Sequence, residues 1–196
     1  IVKALAQRYQ ATYELAYPAA HVHRTHQTGK VASLVGIEGG HQIADSLPTL
    51  RQMYDAGARY MTLTHSLSTR WADSATANPR HGGLTKFGEQ VVREMNRLGM
   101  LVDLSHVSPA TMSDALDASE APVIFSHSSA RALTDVPRNV PDSILRRLPK
   151  NGGEVKWNFT KFVADRSGRV VARFDSKVKP DDTEFVEKVT ALLEAQ

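Results

Sequence analysis

The sequence predicts an α/β protein with parallel strands, and two observations carry that expectation. Four short runs rich in apolar or β-branched residues each stop on a titratable side chain: Val31-Ala-Ser-Leu-Val-Gly-Ile-Glu38, Tyr60-Met-Thr-Leu-Thr-His65, Met100-Leu-Val-Asp-Leu-Ser-His106 and Pro122-Val-Ile-Phe-Ser-His127. Between them, apolar residues recur at helical spacing, and strand–helix alternation is the signature of parallel architecture. In a barrel of that kind the C-terminal strand ends converge on one mouth. Glu38, His65, His106 and His127 are therefore expected to face one another.

The first run, bounded by Gly39 and Gly40, suits a fully buried parallel strand, and the glycines allow a sharp turn and close approach of a ligand. A carboxylate at that point is costly to bury unless a cation or hydrogen bonds satisfy it. Residues 1–17 carry Val2, Leu5, Tyr9, Tyr13 and Leu15 at loosely helical spacing. His21-Val-His23-Arg-Thr-His26 follows Pro18-Ala-Ala. No strand precedes this H-x-H pair, so it reads as solvated histidines, because ligands need a rigid frame. Ser46 before Leu47-Pro48 marks a helix start, with Leu47, Leu50, Met53 and Tyr54 inward and Gly57 as its stop.

The loop from His65 through Trp71, Asp73 and Pro79 to Gly83 is long enough to shape a binding site. A helix over 86–98 buries Phe87, Val91, Met95 and Leu98, and Gly99 closes it. Ser108-Pro109 caps the next helix, with Met112, Ala115 and Leu116 inward, and Pro141-Asp142 opens another. Character changes at Asn151-Gly-Gly153. Alternation from Val155 to Phe174 around Gly168 predicts a β-hairpin. Asp181-Asp182 then caps a last helix with Phe185, Val186, Val189, Leu192 and Leu193 inward.

Composition narrows the chemistry. The 196 residues include no Cys, which excludes disulfides, thiolate zinc sites and thiol nucleophiles. Net charge is +3 with the basic residues spread along the chain, so no nucleic-acid footprint is expected. No apolar run approaches the roughly 18 residues of a membrane span. Ile1-Val-Lys-Ala lacks both Met and a signal-peptide pattern, which suggests an internal piece of a longer chain, with soluble, cytoplasmic location as the default expectation.

Imidazole and carboxylate are the ligands zinc takes when thiolates are absent. Glu38, His106 and His127 supply one oxygen and two nitrogens, leaving positions open for water as a hydrolytic site requires. His65 is a fourth ligand or, alternatively, a hydrogen-bond donor to the oxyanion that develops on an attacked carbonyl. His41 and His81 fit structural roles. Arg138, stiffened between Pro137 and Pro141, suits bidentate capture of a carboxylate or, equally on this pattern, is a surface arginine.

Residues 1–153 resemble the membrane dipeptidase (renal dipeptidase) family, peptidase family M19. The matching motifs come in family order: Gly36-Ile-Glu38-Gly-Gly-His41, Leu63-Thr-His65-Ser with Trp71-Ala-Asp73, Asp103-Leu-Ser-His106-Val-Ser, Phe125-Ser-His127-Ser-Ser-Ala and Arg138-Asn-Val-Pro-Asp142. The resemblance implies a (β/α)8 TIM-type barrel, present here in part because a complete one needs roughly 250 residues. It implies two bridged zinc ions, with Glu38 as the bridging carboxylate and His106 and His127 on one of them. His65 then steadies the tetrahedral intermediate, and Arg138 anchors the terminal carboxylate of a dipeptide hydrolysed by metal-bound hydroxide.

The family's His-x-Asp pair for the other zinc has no match in residues 1–30, and its late Asp, the proton shuttle, has none either. At most about one zinc ion is therefore expected, with reduced or no turnover. Residues 154–196, through Lys156-Trp157-Asn158 to Phe174, resemble the C-terminal part of glutathione peroxidases. There Trp157 and Asn158 match two residues around the peroxidatic Cys or selenocysteine. Without Cys that chemistry is absent, so the segment reads as an appended hairpin and helix joined near residues 151–154. The expected function is a zinc-dependent dipeptidase, incomplete as written. The alternatives are a peroxidase-related fragment without its nucleophile and a non-catalytic metal-binding fusion. Oligomeric state is not readable from the sequence.

Overall fold

A hydrophobic run can serve two sheets if the chain changes partner within it, and the first predicted strand does so. The computed structural model describes residues 2–148, 161–164, 170–174, 178 and 182–194. These fall into two compact units, one built on Ser33–Pro149 and the other on Ala4–Ala32 with the C-terminal residues. Helix α1 (Val2–Arg8) ends early, where the amides of Thr12 and Tyr13 both turn back to the Tyr9 carbonyl. The expected helical segment then becomes strand β1 (Tyr13–Leu15). After α2 (Ala19–Gln27), β2 (Val31–Ser33) pairs with β1 in a two-stranded sheet. The chain leaves that pairing at Leu34 and starts β3 (Val35–Glu38) in a different sheet. Full burial of the run does not hold: Val31 and Leu34 are exposed, and within β3 only Ile37 is buried.

The larger unit is a four-stranded parallel sheet. Its strands lie in chain order: β3, β4 (Ala58–Thr62), β5 (Leu101–Asp103) and β6 (Val123–Ile124). Sequential parallel order without reversal is the pattern of a barrel wall. Between the strands run α3 (Leu47–Asp55), α4 (Lys86–Leu98) and α5 (Pro109–Ala118), as the spacing predicts. Each opens on a side-chain cap: Ser46, Thr85 and Ser108 accept the amides of Thr49, Gly88 and Thr111 at 3.2–3.3 Å. Gly99 stops α4 with φ of 76°, a left-handed backbone that only glycine takes without strain. Past the sheet comes α6 (Asp142–Leu145).

Alternation along each strand sorts the two faces. The register aligns Ile37, Met61, Val102 and Val123 in one row. This row joins Leu50, Val91, Val92, Met95, Met112 and Ala115 from the helices in a single apolar core. The next row, Glu38–Thr62–Asp103–Ile124, turns the other way and is mostly polar.

In the second unit β7 (Lys161–Ala164) and β8 (Val170–Phe174) pair antiparallel, the predicted hairpin, and α7 (Thr183–Glu194) follows. Asp182 accepts the Glu184 amide at 3.1 Å, as a capping residue does. Val186 is exposed rather than inward. Trp157, Asn158 and the Gly168 turn lie outside the described residues. Among the described residues, no helix is long and apolar enough to cross a membrane.

Helices α3 and α4 are clasped through Glu94, which is buried yet charged. Its carboxylate takes Arg51 Nε at 2.5 Å and Arg97 Nε and Nη2 at 2.8 and 2.7 Å. The Arg97 hydrogen bonds, helped by Arg51, outweigh burial and pull its pKa down to about 2. A carboxyl depressed below its unfolded value of about 4.3 stabilises the fold above that pH. That contribution fades as pH falls toward 2. Glu94→Gln is expected to lower unfolding stability by about 1–2 kcal/mol at pH 7, a modest loss because both arginines reach solvent. Urea titrations of wild type and variant should converge as pH drops from 5 to 2.5.

Candidate metal centre

Parallel register decides where the strand-end side chains go. Thr62, Asp103 and Ile124 stand level with Glu38, and three residues beyond each of them comes His65, His106 or His127. The intervening pairs, Leu63-Thr64, Leu104-Ser105 and Phe125-Ser126, repeat one apolar–hydroxyl pattern. Leu63 and Leu104 are buried and Phe125 packs half-buried against the core, which directs the exits from the sheet so that the third residue returns to the face of Glu38. Gly39, with φ of 94°, turns the chain away immediately after Glu38. Gly40 passes so close to the Trp71 ring and the Leu63 carbonyl that a Cβ would lie 2.5–2.6 Å from them.

The convergence expected from the strand ends is observed for the carboxylate and all three imidazoles. Glu38 Oε1 lies 3.1 Å from His106 Nε2 and 3.1 Å from His127 Nε2, and the two nitrogens are 2.8 Å apart. His65 Nε2 stands off at 3.9 Å from the same oxygen, and its ring packs on His106 at 4.4 Å between centroids. A cavity of about 350 Å³, lined by Gly36, Glu38, Tyr60, Thr62, Ser126 and His127, opens beside the cluster.

The donor set fits a divalent cation of the zinc class. Two ligands of one tetrahedral zinc, with bonds of about 2.0–2.1 Å, stand about 3.3 Å apart, so the observed spacings are slightly tighter than such a shell. Three electron-rich atoms this close repel unless a cation or a proton sits among them. Among the described residues, Glu38, His106 and His127 are the group of acidic and imidazole side chains close enough to share one ion. His21, His23 and His26 lie on α2 in the other unit. Residues two apart on a helix point about 200° away from each other, so the H-x-H pair does not chelate.

Burial and neighbouring charge favour the neutral, ligating form of His106. Burial lowers its pKa first, then repulsion from Arg138, His65 and His127, against a smaller opposing pull from Glu38. Burial likewise lowers the Arg138 pKa, opposed by Glu38 and Asp103. Arg138 Nη1 is buried and makes no hydrogen bond within the described residues. A cationic fork with an unused donor beside this cluster is a ready acceptor site for an anion.

His106 also carries backbone strain. Its φ of 69° is uncommon for a residue with a side chain and costs of order 1–3 kcal/mol. The long loop after β4 holds it there. The Ala75 amide donates to the His106 carbonyl at 2.7 Å, and Ser74 Oγ reaches the same oxygen at 3.3 Å. Asp73 in turn gathers the amides of Arg80, His81, Gly82 and Gly83 at 2.8–3.3 Å. His41 and His81 are tied to the carbonyls of Leu67 and Thr69, in keeping with structural roles.

Sequence reasoning missed Asp103 and Ser126. Asp103 is fully buried, and its two oxygens accept from the amides of Ser105 and Ser126 and the hydroxyls of Thr62 and Ser126. The signal available was the hydroxyl residue before each of the three histidines.

The family model for membrane dipeptidases, peptidase family M19, matches residues 1–192. Dipeptidase verJ of Clonostachys rogersoniana is 46% identical over 166 residues, which are 84% of this chain and 43% of that protein. Dipeptidase 3 of Rattus norvegicus is 55% identical over 133 residues, 65% of this chain and 27% of that protein. The chain thus spans less than half the length of these curated relatives. A metallopeptidase from Rhodobacter sphaeroides, solved with a phosphinate mimic of the dipeptide L-Ala-D-Ala, superposes with a TM-score of 0.65 at 26% identity. That likeness covers 92% of this chain and 52% of that one.

The Asp73 cluster yields a test. Burial pushes this carboxyl up, but the four backbone N–H bonds together prevail and hold its pKa below the usual carboxylate value. The loop should therefore be fully closed above about pH 4 and should loosen as pH falls through the depressed pKa. Asp73→Ala leaves four amides unpaired and should cost about 2 kcal/mol or more. Protection from hydrogen exchange at residues 80–83, taken relative to the intrinsic rate at each pH, is expected to fall in the variant at pH 7, and in wild type only in acid.

Proposed function

Because this chain belongs to the membrane dipeptidase family, peptidase family M19, we propose that Glu38, His106 and His127 hold a divalent cation, zinc by donor chemistry, in a site serving dipeptide hydrolysis. The observation that carries this is the mutual 2.8–3.1 Å approach of one carboxylate oxygen and two imidazole nitrogens. Bound there, the cation supplies Lewis acidity that activates water and polarises a scissile carbonyl. The chain's own residues do the rest. His106, held neutral by burial and nearby positive charge, offers its lone pair at ordinary pH. His65, beside Glu38 but outside ligand spacing, suits donation to the oxygen on which charge develops.

Arg138 supplies the substrate preference. Its buried, unpartnered Nη1 and its charge beside Glu38 and Asp103 suit a carboxylate held at a fixed distance from the reacting centre. A free dipeptide places its terminal carboxylate one residue from the scissile bond. The donors in residues 33–148 provide for one ion, so we propose about one zinc per chain rather than the two of a complete family site.

Two measurements test the proposal. Zinc titration of the metal-free chain should give about one site, and His127→Ala or Glu38→Gln should abolish it. Binding that survives both changes would overturn the ligand assignment. For hydrolysis, Arg138→Ala in a full-length relative should weaken use of free dipeptides by about 1.5–3 kcal/mol in kcat/KM. Dipeptide amides, which lack the carboxylate, should be cleaved equally by both forms; an equal loss on the two substrates would remove the anchoring role.

A further inference from the structure

The ring of His127 is held from behind by a chain of hydrogen bonds whose polarity can be worked out. Ser126 Oγ lies 2.5 Å from Asp103 Oδ2 and 2.7 Å from His127 Nδ1. Asp103 takes two further donors on Oδ1, the amides of Ser105 and Ser126, and a third from Thr62 Oγ1 on Oδ2. The two amides can only donate, and the Thr62 and Ser126 hydroxyls, at 3.3 and 2.5 Å, donate to it in turn, so Asp103 is the acceptor in all four bonds. The single hydroxyl proton of Ser126 must then point to Asp103. His127 Nδ1 is left to donate its own proton to Ser126 Oγ, because an oxygen already donating can only accept from the ring. An imidazole with Nδ1–H presents a bare lone pair on Nε2, the nitrogen 3.1 Å from Glu38 and 2.8 Å from His106.

The same carboxylate steadies the backbone beneath that ring. The His127 amide donates to Ser105 Oγ at 3.0 Å, and the Ser105 amide is one of the donors to Asp103. By contrast, His65 Nδ1 meets the looser Ser66 hydroxyl at 3.3 Å. Asp103 has no exposed surface. Its influence on the cluster therefore passes through Ser105 and Ser126.

We propose that Asp103, acting through the Ser126 hydroxyl, fixes His127 as the Nδ1–H tautomer and so aims its Nε2 lone pair at the cation. Asp103 and Ser126 are positioning residues of the metal site. This rests on Glu38, His106 and His127 being a metal site, and the test separates the two claims. Outer hydrogen-bond partners of this type change metal affinity about 10–100-fold when removed.

The experiment uses the whole chain, metal-free, with two readouts: the imidazole 15N shifts of His127 at a pH where histidines are neutral, and zinc affinity by competition with a chromophoric chelator. Ser126→Ala removes the link while leaving the buried carboxylate and the sheet in place. It should shift His127 toward the Nε2–H tautomer and weaken zinc about 10–100-fold without changing the number of ions bound. Ser126→Thr, which keeps the hydroxyl, should retain both properties. Asp103→Asn should follow Ser126→Ala where it folds, but Ser126→Ala carries the test. Unchanged tautomer and unchanged affinity in Ser126→Ala would overturn the inference while leaving the metal site standing. If the tautomer responds but zinc binds equally well to wild type and His127→Ala, the metal assignment fails and the positioning role falls with it.

Discussion

Everything at the candidate site depends on parallel register. Four strands pair in chain order so that Glu38, Thr62, Asp103 and Ile124 share one row. Parallel strands all end on the same side, and equal exits of three residues bring three imidazoles to one carboxylate. A slip of one residue in any strand would turn its polar row onto the face that packs against α3, α4 and α5. The buried row Ile37, Met61 and Val102 makes such a slip costly. The apolar core is thus what aims the polar cluster.

The cluster is held under tension of two kinds. Like-charged or lone-pair-bearing groups are brought within about 3 Å, and His106 sits in a left-handed backbone conformation. Neither state persists without support. For His106 the support is the loop after β4, whose Ser74 and Ala75 hold its carbonyl and whose Asp73 closes the loop on itself. For His127 it is the hydrogen-bond chain that runs from the buried Asp103 through Ser126. Strain of this sort concentrates where a fold keeps groups ready for a ligand rather than relaxed in its absence.

Charge is arranged around the cluster with the same economy. Burial first, then Arg138 and the crowded imidazoles, push His106 toward its neutral form, while Glu38 pulls the other way. The arginine meanwhile keeps a buried donor unused. On the proposed function, an anion arriving there would meet that guanidinium, and substrates would be told apart by where their negative charge lies relative to the bond to be broken.

The alternation of apolar runs and helical spacing is enough by itself to place α3, α4, α5 and the four parallel strands, and the polar strand ends single out Glu38, His65, His106 and His127. Those signals are local: a strand end, a cap such as Ser46 or Ser108, a stop such as Gly99. Only the tertiary structure decided that residues 31–38 divide between two sheets, that Tyr13–Leu15 leaves the helical pattern, and that Val186 faces solvent. Partner choice depends on residues far away in the chain, which periodicity does not record. Asp103 makes the same point within the site. In the sequence it is one acid among many. It becomes the hub of the His127 support only because β4 and β6 bring Thr62 and Ser126 to it from positions 41 and 23 residues away.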